Sequence, residues 1–280
     1  MNIAVASGKG GTGKTTVSVN LAMSLKSPVQ LIDCDVEEPN THIFMKPDIT
    51  EKKDATRIVP KVNIDACDFC GACGEICEFN AIAVLKNASV LVFPEMCHGC
   101  KGCIMVCPKN AISEKNKVFG KIEKGIAWNV ECVHGTLNVG EAMSPPLIEK
   151  VQKEIKNDLI TIIDAPPGTS CPMITTVRRA DYIILVTEPT PFGLNDLILA
   201  VETVKTLDKP FGILINRSDI GDNKVQEYAL KMNIPILMEI PYDREIAVAY
   251  SKGNLMIDVV PELKIKFQKM YKQISDKGAK

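Results

Sequence analysis

Short apolar segments alternate with amphipathic segments over most of the chain. Residues 2–6 form an apolar run that ends in a glycine-rich turn, and a helical pattern follows from Lys14 to Lys26. Val29–Asp33 is a second short apolar run. Strand, loop, helix and strand in this order form a βαβ unit, which requires a parallel sheet with a right-handed crossover.

The same alternation resumes after Gly120 and continues along the rest of the chain. The predicted strands are Leu159–Ile163, Tyr182–Val186, Phe211–Ile215 and Ile234–Ile240. The predicted helices are Leu147–Ile155, 193–206, 223–232 and a last helix that begins with Pro261, a residue favoured at the first helical position. This order predicts an α/β fold with a doubly wound, mostly parallel sheet.

A cysteine-rich segment interrupts the alternation. From Val62 to Ser113 the chain is rich in Cys and Gly, and its hydrophobic periodicity is weak. The segment repeats itself after about 30 residues, because four cysteines followed by Asn-Ala-Ile occur twice. We therefore predict a small α+β domain over residues 61–115, inserted between two parts of the α/β domain, 1–60 and 116–280.

Composition limits the cellular setting and the class of partner. The chain has 280 residues, with 33 basic and 34 acidic side chains and a formal net charge of −1. This balance gives no global basic field, so nucleic acid is not expected as a partner. We find no signal sequence and no run of about 18 apolar residues, and we expect a cytoplasmic protein without a transmembrane segment. In a reducing cytosol, eleven cysteines are better explained as metal ligands than as disulfides.

The glycine-rich turn fits the phosphate-binding pattern G-x-x-x-x-G-K-S/T. Glycines let backbone N–H groups converge on phosphate oxygens, and the N-terminus of the following helix adds a positive dipole end. Lys14 is predicted to reach the β- and γ-phosphates of ATP, and the Thr15 hydroxyl to bind Mg²⁺. The predicted nucleotide-binding residues of this loop are Gly8, Lys9, Gly10, Gly11, Thr12, Gly13, Lys14, Thr15 and Thr16.

The additional lysine of the loop, Lys9, resembles the signature of the deviant Walker A ATPases, which include MinD, the ParA partition ATPases and the nitrogenase iron protein. The resemblance implies that Lys9 contacts ATP in the partner subunit and that ATP binding produces a homodimer. It also implies ATPase activity that a dimer or a partner stimulates. The alternative for Lys9 is a solvated surface lysine.

Three carboxylates follow predicted strands at places where the family has its switch regions. By this resemblance, Asp35 orients or deprotonates the attacking water, and Asp164 is the Walker B carboxylate. We predict Lys9, Lys14, Asp35 and Asp164 as catalytic residues, and Thr15, Asp33 and Asp164 as Mg²⁺ ligands. Strand-end capping is the alternative role for Asp33 and Asp35.

Two further segments at the carboxyl ends of strands are predicted to bind the adenine base. The residues assigned there are Asn216, Arg217, Pro241 and Asp243. Ordinary turn residues are the alternative explanation for them.

The cysteines of the insert have the spacing of bacterial ferredoxins, C-x₂-C-x₂-C-x₃-C, in two copies. This spacing predicts two 4Fe-4S clusters, with the fourth cysteine of each run binding the other cluster. Cluster 1 is assigned to Cys67, Cys70, Cys73 and Cys107, and cluster 2 to Cys97, Cys100, Cys103 and Cys77. Zinc is the competing interpretation. Glu78 follows Cys77 where the ferredoxin pattern has proline, so the geometry and potential of one cluster are expected to differ.

Nearly the whole chain resembles the MinD-superfamily ATPases with an inserted ferredoxin domain. The resemblance includes the segments Asp33–Asn40 and Asp164–Pro172. Cys34, Cys132 and Cys171 lie outside the double run. We expect them to be small buried residues. The alternative hypothesis for Cys34 and Cys171 is that they bind a transient third cluster shared across a dimer.

Three functions remain open from the sequence. The first is an ATPase that couples nucleotide state to electron transfer through the two clusters, with an unknown redox protein as partner. The second is ATP-dependent assembly or carriage of iron–sulfur clusters or metallocofactors for an accepting protein. The third is a MinD-like spatial switch, for which the last helix offers a basic amphipathic face with Leu263, Phe267, Met270 and Ile274.

Overall fold

The computed structural model describes residues 1–278, with side chains through residue 276. The chain forms two compact units. The first unit comprises 1–52, 122–136 and the chain from Pro145 onward, and the second comprises 53–121 and 137–144. The boundaries predicted at residues 61 and 115 lie inside the second unit and remain predictions, and residues 279 and 280 lie outside the described part.

Eleven strands and eleven α-helices are formed within residues 1–278. The strands are β1 (Asn2–Ala6), β2 (Val29–Asp33), β3 (Asp48–Val62), β4 (Ile82–Leu85), β5 (Ser89–Val92), β6 (Ile112–Ala127), β7 (Val130–Leu137), β8 (Ile160–Asp164), β9 (Tyr182–Thr187), β10 (Phe211–Asn216) and β11 (Ile236–Ile240). The helices are α1 (Lys14–Ser24), α2 (Thr41–Met45), α3 (Ala72–Glu75), α4 (Gly102–Met105), α5 (Pro145–Gln152), α6 (Cys171–Val177), α7 (Pro191–Lys205), α8 (Lys224–Lys231), α9 (Arg244–Ser251), α10 (Met256–Val259) and α11 (Glu262–Gly278).

The sheet of the first unit has the strand order β11-β10-β9-β1-β8-β2-β7-β6-β3. Every neighbouring pair from β11 to β7 is parallel. The mostly parallel α/β fold predicted from the sequence is therefore confirmed. The register aligns Asp33 at the end of β2 with Asp164 at the end of β8, which brings the two carboxylates to one edge of the sheet.

Central strands read as continuous apolar runs because both of their faces are covered by helices. In β9 all six residues are buried, and in β8 four of five are buried. The prediction of β1, β2 and β8–β11 succeeded for this reason. Three strands of the nine-stranded sheet were missed, β3, β6 and β7, and so were β4 and β5 of the separate hairpin. The first seven residues of β3 are exposed and mostly polar, so they carry no apolar signal.

Helix α11 closes one side of the hydrophobic core of the first unit. Its apolar residues Leu263, Phe267, Met270 and Ile274 are at most 3% exposed and belong to the same buried cluster as β1 and α1. The side chain of Gln268 also donates a hydrogen bond to the backbone oxygen of Ser24 in α1. The apolar face that suggested a membrane-surface helix is thus already occupied. None of the helices within residues 1–278 is long and apolar enough to span a membrane.

The second unit has an internal repeat in its backbone. Left-handed residues occur in pairs that are separated by the repeat length: Phe69 and Gly99, Gly71 and Lys101, Asn80 and Asn110. Two cross-connections are also equivalent, since Asn63 N–H donates to Ala111 O and Phe93 N–H donates to Ala81 O. Short helices α3 and α4 and the antiparallel hairpin β4–β5 complete this unit. The repeat read from the sequence is therefore present in the folded backbone.

Candidate nucleotide site and cysteine cavities

The glycine-rich loop joins β1 to α1. Gly13 is the N-cap of α1 and has a φ of 94°, a conformation that strains any residue with a Cβ. No side chain caps the helix and its first turn holds no acidic residue, so its N–H groups are left for an anion. At Gly8 a Cβ would lie 2.0 Å from the backbone oxygen of Asp196, which explains why glycine is required there.

Lys14 projects into a group of carboxylates. Its side chain is largely buried, and burial lowers the pKa of its ammonium group, while Asp164, Asp35 and Asp33 act in the opposite direction. The ammonium group is therefore held among negative charges rather than exposed to water. A lysine in this position suits the negative oxygens of a nucleotide phosphate.

Asp164 is fixed by hydrogen bonds to both of its oxygens. Thr15 Oγ1 donates to Oδ2 at 2.7 Å, and Ser18 Oγ donates to Oδ1 at 2.8 Å. Burial, and secondarily the charge of Asp33, raises the pKa of Asp164 to about 7. A divalent cation would offset this repulsion, and the oxygens of Thr15 and Asp164 are the ligand type that Mg²⁺ prefers. Ser18 was missed from the sequence, because its partner is remote along the chain.

Asp33 is engaged by the segment that follows it. Its Oδ1 accepts a hydrogen bond from the N–H of Asp35, and its Oδ2 accepts from the N–H groups of Asn40 and Thr41, each at 3.0 Å. Burial raises its pKa, and these hydrogen bonds oppose the rise. The carboxylate thus holds the loop 35–41 against the sheet, which is the capping role considered for it. Its role as a Mg²⁺ ligand stays a prediction.

Asp35 is half-buried at the edge of an open cleft. Burial and the neighbouring Asp33 raise the pKa of Asp35 to about 6, while Lys14 lowers it. The same cleft has a volume of about 460 Å³ and is lined by Gly10, Gly11, Gly13, Lys14, Thr15, Thr16, Pro167, Asn216, Arg217, Pro241 and Asp243. Lys9 lies outside the lining, and its contact with ATP in a second subunit stays a prediction.

The predicted base-binding residues line the cleft, and three of them also have structural contacts. Asn216 Nδ2 donates to the backbone oxygen of Thr12 at 2.9 Å, and its Oδ1 accepts from the N–H of Arg217. Arg217 pairs with Glu188 at 3.0 Å. Asp243 caps α9 by accepting the N–H of Glu245 at 2.7 Å. Their part in reading the base stays a prediction.

The sequence did not point to the apolar side chains at the far end of the cleft. Ile246, Tyr250 and Met256 come from α9 and α10 and line the cleft. The ring of Tyr250 contacts the ring of Phe44 in α2 at a centroid distance of 5.2 Å. Only the position of α9 next to the cleft reveals these residues, because their spacing in the sequence is that of an ordinary amphipathic helix.

Two cavities in the second unit are each lined by four cysteines. The first cavity is lined by Cys67, Cys70, Cys73 and Cys107. The second cavity is lined by Cys77, Cys97, Cys100 and Cys103. In both, three cysteines come from one half of the repeat and the fourth comes from the other half. These are the two sets that the sequence assigned.

Backbone N–H groups point at cysteine sulfurs in both cavities. Phe69 and Ala111 donate to Cys67 Sγ and Cys107 Sγ, and Gly99 and Ala81 donate to Cys97 Sγ and Cys77 Sγ, at 3.3–3.4 Å. Such donors stabilise thiolate over thiol. Within residues 1–278 no group of three or more His, Cys, Asp or Glu is arranged to hold a single metal ion. Each cavity is nevertheless lined by four cysteines.

The three remaining cysteines are separate from these cavities. Cys34 is fully buried, and burial raises the pKa of its thiol well above the usual range. Cys132 is also buried, and burial raises its pKa to about 12. Cys171 is exposed at the start of α6, contrary to the expectation that it is a buried residue.

Fold and cleft together define a P-loop nucleotide-binding protein. The family described as the CobQ/CobB/MinD/ParA nucleotide binding domain matches residues 3–256, and the chain belongs to that family. An uncharacterized protein of Methanocaldococcus jannaschii is 35% identical over 91% of this chain and 90% of its own length.

More distant similarities support the fold and include proteins that carry iron–sulfur clusters. The chain is 25% identical to an iron-sulfur cluster carrier protein of Pyrococcus horikoshii, over 90% of this chain and 77% of that protein. The septum site-determining protein MinD of Pyrococcus horikoshii, solved with Mg-ADP, superimposes with a TM-score of 0.61. The superposition covers 98% of this chain and 95% of the MinD chain. At 21% sequence identity, it supports the fold alone.

Proposed function

We propose that the protein is an ATPase that couples nucleotide state to electron transfer through two 4Fe-4S clusters. The observation that carries the proposal is the lining of the two cavities: each holds one complete four-cysteine set, with the fourth thiol contributed by the other half of the repeat. When bound, each cluster would supply one-electron chemistry.

The first unit would bind and hydrolyse ATP with residues of the cleft. The free N–H groups of the loop and the Lys14 ammonium group would hold the phosphates. Thr15 and Asp164 would hold Mg²⁺, with Ser18 keeping the carboxylate oriented. Asp35 would orient the attacking water and take its proton. Lys9 would act on the nucleotide of a second copy, so that ATP binding assembles a homodimer.

The second unit would hold the clusters through cysteine thiolates. Cys67, Cys70, Cys73 and Cys107 would bind cluster 1, and Cys97, Cys100, Cys103 and Cys77 would bind cluster 2. Backbone N–H groups are directed at four of these sulfurs, and hydrogen bonds of this kind tune the potential of a bound cluster. Because every ligand belongs to one chain, the clusters are suited to remain bound while electrons pass to a partner redox protein.

A redox titration of the anaerobically reconstituted protein, monitored by EPR, tests the proposal. The titration is run with and without a non-hydrolysable MgATP analogue. We expect two clusters per chain and a nucleotide-dependent shift of about 59 mV or more, which is tenfold in a one-electron equilibrium. The Lys14→Ala variant is the control, since it should keep both clusters and lose the shift. Two intact clusters with no shift in the unaltered protein would contradict coupling.

Carriage of clusters to an accepting protein is the second candidate. The similarity to iron-sulfur cluster carrier proteins of Pyrococcus and Rickettsia favours it. Related scaffold ATPases are expected to use a Cys-x₂-Cys pair near the C-terminus, and this chain has no cysteine after Cys171. Incubation with an apo-ferredoxin distinguishes the two functions. Carriage predicts ATP-dependent transfer of iron from this protein to the apo-ferredoxin. Electron transfer predicts that the iron stays in this protein and that the apo-ferredoxin remains without a cluster.

A further inference from the structure

Different side chains line the two cysteine cavities at positions that are equivalent in the repeat. The residue after the first cysteine and the second residue after the fourth cysteine line the cavity in both cases. In the first cavity these residues are Asp68 and Lys109. In the second cavity they are His98 and Phe79. Each pair corresponds to the other by the repeat of the sequence.

His98 and Phe79 form a stacked pair beside the second cavity. Their ring centroids are 3.7 Å apart and their planes differ by 17°. Phe79 is 38% exposed, His98 is exposed as well, and both residues line the cavity. The first cavity has two charged side chains in the same places, and Asp68 is held there by the N–H of Cys70 at 3.2 Å.

Other repeat-related differences do not remove this asymmetry. Lys101 lines the second cavity where Gly71 lines the first, but Lys101 is paired with Glu114 at 2.7 Å, so its charge is balanced. Phe69 adds an aromatic ring to the first cavity at the position of Gly99. The second residue after the fourth cysteine is therefore an apolar ring at the second cavity and a lysine at the first.

We propose that Phe79, stacked on His98, makes the two cluster sites unequal, so that cluster 2 has the lower reduction potential. This inference rests on the proposed function, because it requires a cluster in each cavity. Reduction adds one electron, and hence one negative charge, to a site. The positive charge of Lys109 stabilises the added electron, and the apolar ring of Phe79 does not. The carboxylate of Asp68 opposes Lys109, but it already accepts a hydrogen bond from the N–H of Cys70. The site under Phe79 is therefore harder to reduce than the site beside Lys109.

Exchanging residues between the two halves tests the inference. Phe79→Lys places at the second cavity the residue found at the equivalent position of the first, and Lys109→Phe makes the reverse exchange. Both variants and the unaltered protein are reconstituted anaerobically, analysed for iron and sulfide, and titrated with EPR detection. In the unaltered protein we expect two reduction waves separated by at least tenfold in the equilibrium constant, or about 59 mV.

Each exchange is expected to move one wave. Phe79→Lys should raise only the lower wave, and Lys109→Phe should lower only the higher wave. Coincident waves in a protein with two clusters overturn the inference alone. Movement of the higher wave by Phe79→Lys overturns it as well, because Phe79 would then lie beside the cluster with the higher reduction potential. Iron and sulfide contents that correspond to fewer than two clusters overturn the proposed function, and this inference with it.

Discussion

Ser18 donates a hydrogen bond of 2.8 Å to Oδ1 of Asp164, and both side chains are buried. The other oxygen of Asp164 accepts from Thr15, so two residues on one face of α1 fix a carboxylate at the end of β8. Ser18 belongs to no phosphate-binding pattern. In our assignment it positions the group that holds Mg²⁺.

Removal of this hydroxyl should weaken the use of Mg²⁺. We expect Ser18→Ala to raise the Mg²⁺ concentration for half-maximal ATPase activity about tenfold, since a hydrogen bond to a charged group contributes about 1.5–3 kcal/mol. Ser18→Thr should restore most of the affinity. The matched control is Ser24→Ala in the same helix, whose buried hydroxyl donates only to the backbone of Asn20. An unchanged Mg²⁺ requirement in Ser18→Ala would exclude the positioning role.

Asn216 should contribute to phosphate binding as much as to base recognition. Its amide holds the backbone of Thr12 in the glycine-rich loop, so Asn216→Ala should weaken binding of ADP and GDP by a similar factor, about two- to tenfold. Binding is measured by calorimetry with both nucleotides. Asn223→Ala is the control, because the side chain of Asn223 makes no capping hydrogen bond to α8. A loss confined to ADP would instead establish Asn216 as a base-reading residue.

The second unit contains a buried ion pair whose disruption should unfold it locally. Arg57 and Glu141 are 2.5 Å apart with side chains 8% and 6% exposed, and Arg57 also donates to the backbone oxygen of Pro94. Glu141→Ala leaves the guanidinium group buried without its counter-ion, which costs about 3–5 kcal/mol.

Hydrogen exchange read by mass spectrometry measures the effect segment by segment. Amides of residues 53–121 should exchange faster in Glu141→Ala, while those of β8 and β9 should not change. Glu114→Ala is the control, because its pair with Lys101 is exposed and such pairs contribute at most about 1 kcal/mol. Equal exchange in the two variants would show that the buried pair stabilises the second unit no more than the exposed pair does.

Helix α11 should behave as part of the core and not as a membrane anchor. Phe267 is fully buried, so Phe267→Ala should lower the free energy of unfolding by about 3–5 kcal/mol in urea, followed by circular dichroism. Lys266→Ala, on the exposed face, should leave stability unchanged. The unaltered protein with ATP should not float with anionic liposomes, and flotation would revive the spatial-switch alternative.

The parts of the molecule that the sequence predicted are those with a local signal. Buried parallel strands such as β9 have an apolar run, and the cysteine sets have a fixed spacing that also fixes which half supplies the fourth thiol. Strand β3 has no such signal, because its first half faces solvent with polar residues. The contact of Ser18 with Asp164 joins residues 146 positions apart, and only the register of β8 beside β1 brings them together.

The strands that lead out of the first unit and back into it are neighbours in one sheet. Asp48 and Ile49 of β3 lie against Gly125 of β6, where even a Cβ would meet the backbone at 2.5 Å. With respect to the first unit, residues 53–121 therefore form one long connection between two neighbouring strands, β3 and β6. Loop closure costs only about 0.6 kcal/mol for each doubling of length, so such a fold tolerates a long insertion at this place. The length of the segment between β3 and β6 is therefore only weakly limited by the energetics of the sheet that flanks it.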